Sequence, residues 1–295
     1  MTGTGHRFRF KSRLTADLGL IGICVIWGTS FPLVKAVLSD MHPLPFLAVR
    51  FGLGALLLAP LLVRERHRFD ACFWRRGFSL GVFMFAGMAT QTVGLRFTSA
   101  SHSGFLTALS VVFVPLWVIA FERKWPGVRT WTAIAMAALG VCCLTATGGT
   151  FGLNRGDWFT ILSAAGFSLQ IIFIEIWVRS ETALAYAWIM LTTTAVLAAA
   201  MIPWIGPCTF RLTVRSTAIL VFLAVYATAL AFWGQTRLQP KTTATAAAVV
   251  YATEPIFAAL FASVLLGERL GLFGWIGAAL ILSGILVHES ALSAR

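Results

Sequence analysis

Long apolar stretches recur along the whole chain, and short polar connections separate them. Each stretch has about 18–25 residues, which is long enough to cross about 30 Å of hydrocarbon as an α-helix. The chain lacks the alternating ten-residue segments that are typical of an outer-membrane barrel. The pattern therefore predicts an all-α integral membrane protein with ten transmembrane helices, at residues 16–38, 45–63, 77–95, 100–121, 130–148, 157–178, 183–205, 216–235, 242–266 and 272–288.

The composition agrees with a lipid environment. Charged residues are 12% and hydrophobic residues 58% of the 295, whereas a soluble domain carries about 25% charged residues. The formal net charge of +12 does not indicate a nucleic-acid partner, because most of the positive residues lie in short connections between the apolar spans. The five cysteines form no CxxC pair, so we expect no disulfide framework, no metal site and no cofactor.

The distribution of positive charge predicts the orientation of the chain. With a cytoplasmic N-terminus, sixteen of the 23 Lys and Arg residues fall in cytoplasmic segments and five in external ones. The positive-inside rule therefore places both tails, 1–15 and 289–295, in the cytoplasm, and the chain in the inner (cell) membrane. The first apolar run is too long for a signal-peptide core and has no small-residue cleavage site, so it is interpreted as a first transmembrane helix.

The two halves of the chain share a faint internal repeat. We predict a first repeat over 16–148 and a second over 149–288. Because each repeat holds five spans, an odd number, the second must enter the membrane from the opposite side, which is the inverted plan of many secondary transporters. The markers that recur are Asp17 and Asp157, Pro115 and Pro255 (each of these two pairs 140 residues apart), the pairs Glu122–Arg123 and Glu268–Arg269, and then Trp131 and Trp275.

Three sequence motifs resemble those of a known family. They are WGTSFPLVK at 27–35, LRFTSASHSGFLT at 95–107, and a span-nine pattern of TTATAAA at 242–248, TEP at 253–255 and LLGER at 265–269. Over residues 16–288 the chain resembles the EamA family of the drug/metabolite transporter superfamily. The resemblance implies ten helices in two inverted repeats, cytoplasmic termini, and a central pathway lined by spans one to four and six to nine. It also implies the movement of amino acids, related metabolites or toxic compounds, often outward.

Glycine and proline mark candidate helix breaks. Gly28 and Pro32 lie about one turn apart in span one, Pro115 lies in span four and Pro255 in span nine. Proline removes a helical hydrogen bond and kinks the helix, and a broken helix at mid-depth is typical of transporter binding sites. The alternative is a kink without function, since Gly and Pro are frequent in membrane helices.

Several side chains within the spans are candidates for substrate binding. The rings of Trp27, Phe105 and Tyr251 would suit an apolar or cationic substrate, although many rings in such a chain face lipid or core. Ser30 belongs to the span-one motif. Gln91 is one of four polar residues in or near spans that either line a cavity or bridge helices; the others are His102, Gln170 and Gln235.

Two charged residues lie deep within predicted spans. Arg50 and Lys35 fall at similar depth, and Arg50 is the stronger candidate for holding a substrate carboxylate because a long lysine side chain snorkels readily to the interface. Glu254 lies near the bilayer midplane, just before Pro255. It is a candidate for proton coupling or for pairing with a cationic substrate group. Alternatively, it bonds backbone groups at the kink or pairs permanently with Arg50.

Taken together, these features favour a secondary transporter of small metabolites, such as amino acids, with export and alternating access through a central cavity. The alternatives are a multidrug efflux transporter and a non-transporting receptor or scaffold. An enzyme is not expected, because the sequence has no HExxH, GxSxG or P-loop motif. Without a nucleotide-binding motif, the energy is expected from a gradient of protons, another ion or substrate. The partners are then a small molecule, the bilayer and the coupling ion.

Overall fold

The computed structural model describes residues 3–62, 70–123, 125, 127–145, 153–268 and 271–293, and this part of the chain is almost entirely helical. An isolated bridge between Met41 and Phe210 joins two connections between helices. The α-helices are α1 Gly3–Val37, α2 Pro43–Leu62, α3 Ala71–Gly94, α4 Ala100–Thr107, α5 Ser110–Glu122, α6 Val128–Thr145, α7 Arg155–Trp177, α8 Ala183–Met201, α9 Val214–Phe222, α10 Ala231–Leu238, α11 Ala244–Tyr251, α12 Glu254–Leu266 and α13 Leu272–Ser293.

Seven segments of the described chain are long and apolar enough to cross a membrane. They carry many apolar side chains on their outer surfaces, for example Leu56 at 68% and Val264 at 74% exposure, as lipid-facing helices do. The predicted all-helical membrane protein is therefore confirmed, while the count of ten spans stays a prediction. The seven are 14–37, 43–62, 100–121, 155–177, 180–205, 214–241 and 244–266.

Spans four and nine are broken helices of matching design. In each, an eight-residue helix (α4 or α11) is followed by two turn residues and a thirteen-residue helix (α5 or α12). The side chains of Ser99 and Thr243 cap the N-termini of α4 and α11. Both second halves end at a left-handed residue, Arg123 with φ 54° and Gly267 with φ 70°. The two spans therefore correspond residue for residue, 144 positions apart.

The first two spans of each half correspond in a different register. Helices α1 and α7 end at Val37 and Trp177, and α2 and α8 begin at Pro43 and Ala183, so both offsets are 140 residues. The connection between the second and third spans is four residues longer in the second half than in the first. This difference gives the offset of 144 for the later spans. Consequently Pro115 and Pro255 are not counterparts: the structural counterpart of Pro255 is Val111.

Helix packing follows a two-fold pattern. The equivalent helices α6 and α13 pack on each other, and so do α2 and α8. Helix α7 is the counterpart of α1, and α9 and α10 together are the counterpart of α3. Helix α3 packs on α7, and correspondingly α9 and α10 pack on α1. In the same way, α1 packs on α12, and α7 packs on α4 and α5. This exchange of partners is what two related halves produce around a shared axis, and it places the broken spans at the centre of the molecule.

Of the four predicted helix breaks, only the one at Pro255 coincides with an observed break. Helix α1 continues through Gly28 and Pro32. The hydroxyls of Thr29 and Ser30 donate to the carbonyl oxygens of Ile26 and Trp27, at 2.6 and 2.7 Å, as hydroxyl side chains do near prolines in membrane helices.

Pro115 also lies within a continuous helix, α5. The break in span four occurs earlier, at Ala108 and Leu109. The break in span nine is at Ala252 and Thr253, so that Pro255 falls in the first turn of α12, where a missing N–H leaves no hydrogen bond unmade.

Span eight contains a second irregularity. Residues Leu223–Leu230, between α9 and α10, form a π-helix, a wider form that is rare and often found at functional sites. Its buried residues include Ala227 and Thr228, and the π-helix packs on α2 and α1.

Candidate functional site

A central cavity lies where the two broken spans meet the surrounding helices. Its volume is about 50 Å³, which is room for only a few water molecules. Substrate entry therefore requires side chains or helices to move apart. The lining residues are Trp27, Ser30, Phe31, Val34, Arg50, Met88, Gln91, Thr92, Leu95, Thr107, Ser110, Phe167, Gln170, Ile171, Phe232, Gln235, Tyr251 and Glu254.

Six of the seven side chains that the sequence suggests for substrate binding line this one cavity: Trp27, Ser30, Arg50, Gln91, Tyr251 and Glu254. Phe105 does not line it. Its ring is 1% exposed and packs in the core with α1, α5 and α11 side chains. The sequence shows that a residue is aromatic but not whether its ring faces the core or a cavity. The ring of Phe105 faces the core.

Arg50 is a buried cation held by the π-helix. Its Nε donates to Thr228 Oγ1 at 2.8 Å, and a terminal nitrogen donates to the Ala227 carbonyl at 3.4 Å. Its guanidinium carbon lies 5.9 and 5.4 Å from the ring centres of Phe46 and Phe51, within cation–π range. These contacts position the guanidinium at the cavity wall, with donors left to offer an anionic group.

Glu254 occupies the N-terminus of α12, directly after the break in span nine. It lines the cavity and is only partly buried. The unpaired N–H groups and the dipole of a helix N-terminus stabilise a negative charge there. The break therefore places a carboxylate at the cavity wall and makes it electrostatically tolerable.

The two charges break an otherwise matched arrangement. In the registers given above, several cavity residues are counterparts of one another: Trp27 and Phe167, Ser30 and Gln170, Phe31 and Ile171, Gln91 and Gln235, and Thr107 and Tyr251. The counterpart of Glu254 is Ser110, and that of Arg50 is Met190, which is buried in the core. The two related halves thus place one cation and one anion on the cavity, and the counterpart of each is uncharged. A substrate with one positive and one negative group would therefore bind in one orientation.

An aromatic group forms one side of the cavity. The ring of Trp27 lies 5.2 Å from that of Phe232 and 5.7 Å from that of Tyr251. Trp27 Nε1 donates to the Ala227 carbonyl at 3.2 Å, the same carbonyl that accepts from Arg50. The π-helix therefore fixes both the cation and the indole.

Sequence reasoning leaves the roles of several cavity residues open or misses them. From sequence, Gln170 and Gln235 could either line a cavity or bridge two helices. In the structure both line the cavity. Thr107 and Ser110 are missed as cavity residues. They flank the break in span four, and the signal that would find them is their offset of 144 from Tyr251 and Glu254. Gln91 Nε2 donates to Thr107 Oγ1 at 2.9 Å.

Polar contacts join three spans on the side of the cavity that the charge distribution predicts to be external. Lys35 Nζ donates to the carbonyls of Leu95, at 3.0 Å, and Thr98. The carboxylate of Glu268, just past α12, accepts from Ala100 N at 3.3 Å and Ser101 N at 3.2 Å, at the N-terminus of α4, and also from the Ser101 hydroxyl. These contacts tie span one to the segment between α3 and α4, and span nine to the first turn of α4.

A second contact on this side joins span six to the connection between α3 and α4. Thr98 Oγ1 donates to Asp157 Oδ1 at 2.7 Å, and His102 Nδ1 lies 3.6 Å from the same oxygen. Asp157 is fully buried and also completes the capping box of α7. Spans one, six and nine are thus all linked to the segment between α3 and α4 or to the first turn of α4.

The opposite side, which the charge distribution predicts to be cytoplasmic, has corresponding contacts. Glu175, the counterpart of Lys35, accepts from the Ala244 N–H at the start of α11, at 2.6 Å. Gln239 Nε2 donates to the Ile171 carbonyl at 2.7 Å, and its Oε1 accepts from the Tyr251 hydroxyl at 3.0 Å. Hydrogen bonds near the two short half-helices therefore join the surrounding spans on both sides of the cavity.

The comparisons with known proteins bear on what this cavity serves. The model of the EamA-like transporter family matches residues 14–146 and again residues 154–288. The chain belongs to the EamA-like transporter family.

An uncharacterized transporter of Archaeoglobus fulgidus is 32% identical, over 93% of this chain and 86% of that protein. The Bacillus subtilis uncharacterized transporter YwfM is 24% identical, over 90% of each chain. The Escherichia coli inner membrane transporter YedA, also uncharacterized, is 28% identical over 54% of this chain and 51% of that protein. A solved crystal structure of another protein superposes with a TM-score of 0.74 over 92% of this chain and 97% of that chain; at 17% identity it shows a shared fold alone. The chain is therefore a member of a membrane transporter family with two matched repeats.

Proposed function

We propose that the protein is a secondary transporter of zwitterionic metabolites, of which amino acids are the simplest, and that it moves them outward across the cell membrane. The observation that carries this proposal is one cation, Arg50, and one carboxylate, Glu254, on the wall of a single cavity. An α-carboxylate would bind the guanidinium and an α-ammonium would bind the carboxylate. The adjoining rings of Trp27, Phe232 and Tyr251 suit an ammonium group as well.

Alternating access follows from the two closures. The external contacts at the start of α4 and the cytoplasmic contacts at the start of α11 occupy equivalent places in the two repeats. Opening one set while the other holds would expose the cavity to one side at a time. The repeats would then exchange conformations, with the inverted topology supplying the symmetry.

Protons are the proposed coupling ion. Glu254 cannot hold a proton and a substrate ammonium together, so the two would compete for one carboxylate. A proton bound on one side would displace the substrate, and the deprotonated carboxylate would bind a new substrate on the other side. Such competition gives exchange of one for the other.

Purified protein in proteoliposomes tests both assignments, with labelled amino acids as substrates and an imposed pH gradient as the driving force. Arg50→Gln should weaken apparent affinity for a zwitterion by about 10- to 150-fold, the value of a charge-assisted hydrogen bond of about 1.5–3 kcal/mol. Glu254→Gln should abolish the pH dependence. Thr132→Val, which alters an exposed hydroxyl on α6, is the control. Unchanged affinity in Arg50→Gln would refute the carboxylate site, and a surviving pH dependence in Glu254→Gln would refute the coupling.

A second candidate function is efflux of toxic organic cations. The rings around the cavity and the carboxylate of Glu254 favour it. It differs from the first in its use of Arg50: a cation without a carboxylate gains nothing from the guanidinium. If Arg50→Gln improves transport of a quaternary ammonium dye while amino acids fail to compete, this second function holds.

A further inference from the structure

Two cavity side chains carry buried hydrogen-bonding atoms that no protein group in the described part of the chain satisfies. They are Nε2 of Gln170, on α7, and Oε1 of Gln235, on α10. The residues are 1% and 2% exposed, and both line the central cavity. One unpartnered atom is a hydrogen-bond donor and the other is an acceptor.

Other glutamines close to the cavity do not share this feature. Gln91 donates to Thr107, and Gln239 uses both ends of its amide, donating to Ile171 and accepting from Tyr251. A buried polar atom without a partner costs about 1–3 kcal/mol, and native proteins keep few of them. Two such atoms on one cavity point to a group that binds there from outside the chain.

We propose that Gln170 and Gln235 bind the side chain of the substrate and select a neutral side chain that offers both an acceptor and a donor, a carboxamide. This inference rests on the proposed function, in which Arg50 and Glu254 take the α-carboxylate and the α-ammonium. The amide oxygen of the substrate accepts from Gln170, and its NH₂ group donates to Gln235. The cavity thereby distinguishes among zwitterions whose backbone groups are identical.

The discrimination has a physical basis that does not depend on size. L-Glutamine and L-methionine have side chains of similar length, but methionine leaves both amide atoms unpaired and displaces any water that served them. A site built to hydrogen-bond a polar group rejects the analogue that lacks it more strongly than an apolar pocket rejects an extra methylene. We expect L-glutamine to bind about tenfold or more tightly than L-methionine. L-Glutamate, which offers acceptors only, should bind more weakly than L-glutamine.

The experiment measures binding of L-glutamine, L-methionine and L-glutamate to the purified full-length protein in nanodiscs, by calorimetry and by ligand-induced thermal stabilisation. Gln170→Met and Gln235→Met keep the length of the side chain and remove the amide. Each should lower the glutamine-to-methionine affinity ratio, because each removes one of the two hydrogen bonds to the substrate amide.

Gln239→Met is the matched control, since its amide is equally buried but has partners at both ends. It should lower stability and keep the affinity ratio. Equal affinity for glutamine and methionine in the unchanged protein, or a ratio that survives in both Gln170→Met and Gln235→Met, would overturn this inference while leaving the zwitterion site intact. If no amino acid binds to the unchanged protein, the proposed function fails and this inference fails with it.

Discussion

Gly28 allows close packing of α1 against α12 and does not break the helix. The sequence suggests a helix break, but α1 continues through this position and packs on α12. A Cβ atom at Gly28 would lie 2.5 Å from Phe257 Cβ and 2.9 Å from both Ala258 N and Phe257 C. Backbone atoms cannot rotate away as a flexible side chain can, so Gly28→Ala would push span one from span nine.

The expected size of the effect comes from two terms. Overpacking a well-packed contact costs about 1–3 kcal/mol. Gly22, two turns earlier on the same helix, is exposed, and a Cβ atom added there would meet nothing within 4 Å. Gly22→Ala should therefore gain about 0.5–1 kcal/mol from helix propensity alone. The two variants should differ in stability by about 1.5–4 kcal/mol, with opposite signs relative to the unchanged protein.

The assay is thermal unfolding of both variants in one detergent, followed by proteoliposome transport. Gly28→Ala should unfold at lower temperature and transport more slowly, because α12 carries Glu254 at its start. Gly22→Ala should match or exceed the unchanged protein in both measurements. If Gly28→Ala proves as stable as Gly22→Ala, the close approach of α1 to the α12 backbone is not what requires glycine there.

The connections between helices carry three more predictions. A membrane-impermeant maleimide applied to intact cells should label a variant whose only cysteine is Cys208, in the 206–213 connection. It should not label a variant whose only cysteine is Cys72, at the start of α3. The reverse result would refute cytoplasmic termini. Burial, and secondarily Arg96, lowers the pKa of His42 from its ordinary 6.5. The stabilising contribution of neutral His42 is therefore present above about pH 6.5 and is lost as the pH falls below that value. Thermal unfolding of His42→Gln should depend less on pH in that range, and an equal dependence would refute the assignment. Glu268→Gln, which weakens the cap on α4, should raise the accessibility from outside of a cysteine introduced on the cavity wall by Ser110→Cys, and unchanged accessibility would refute the external closure.

The sequence determined the broad class of the protein because that information is local. Apolar runs of membrane-spanning length and a low charged fraction require lipid as the solvent, and neither depends on how the spans pack. Arg50 and Glu254 stood out for the same reason: an ionised group within an apolar span needs a partner or a cavity. Their position on one cavity, with Trp27, Ser30, Gln91 and Tyr251, accords with that argument.

Tertiary structure decided what depends on register and packing. Proline predicts a weakened hydrogen bond but not where a helix breaks, since α1 continues through Pro32 while span four breaks six residues before Pro115. A four-residue insertion shifts the offset between the halves from 140 to 144, which makes Ser110 the counterpart of Glu254. Trp131 and Trp275 carry the offset of 144 in sequence, but only the helix boundaries show where the shift occurs. Phe105 lies in the core, and Gln170 and Gln235 face the cavity, because a helix presents each side chain to one neighbour that only the assembled bundle specifies.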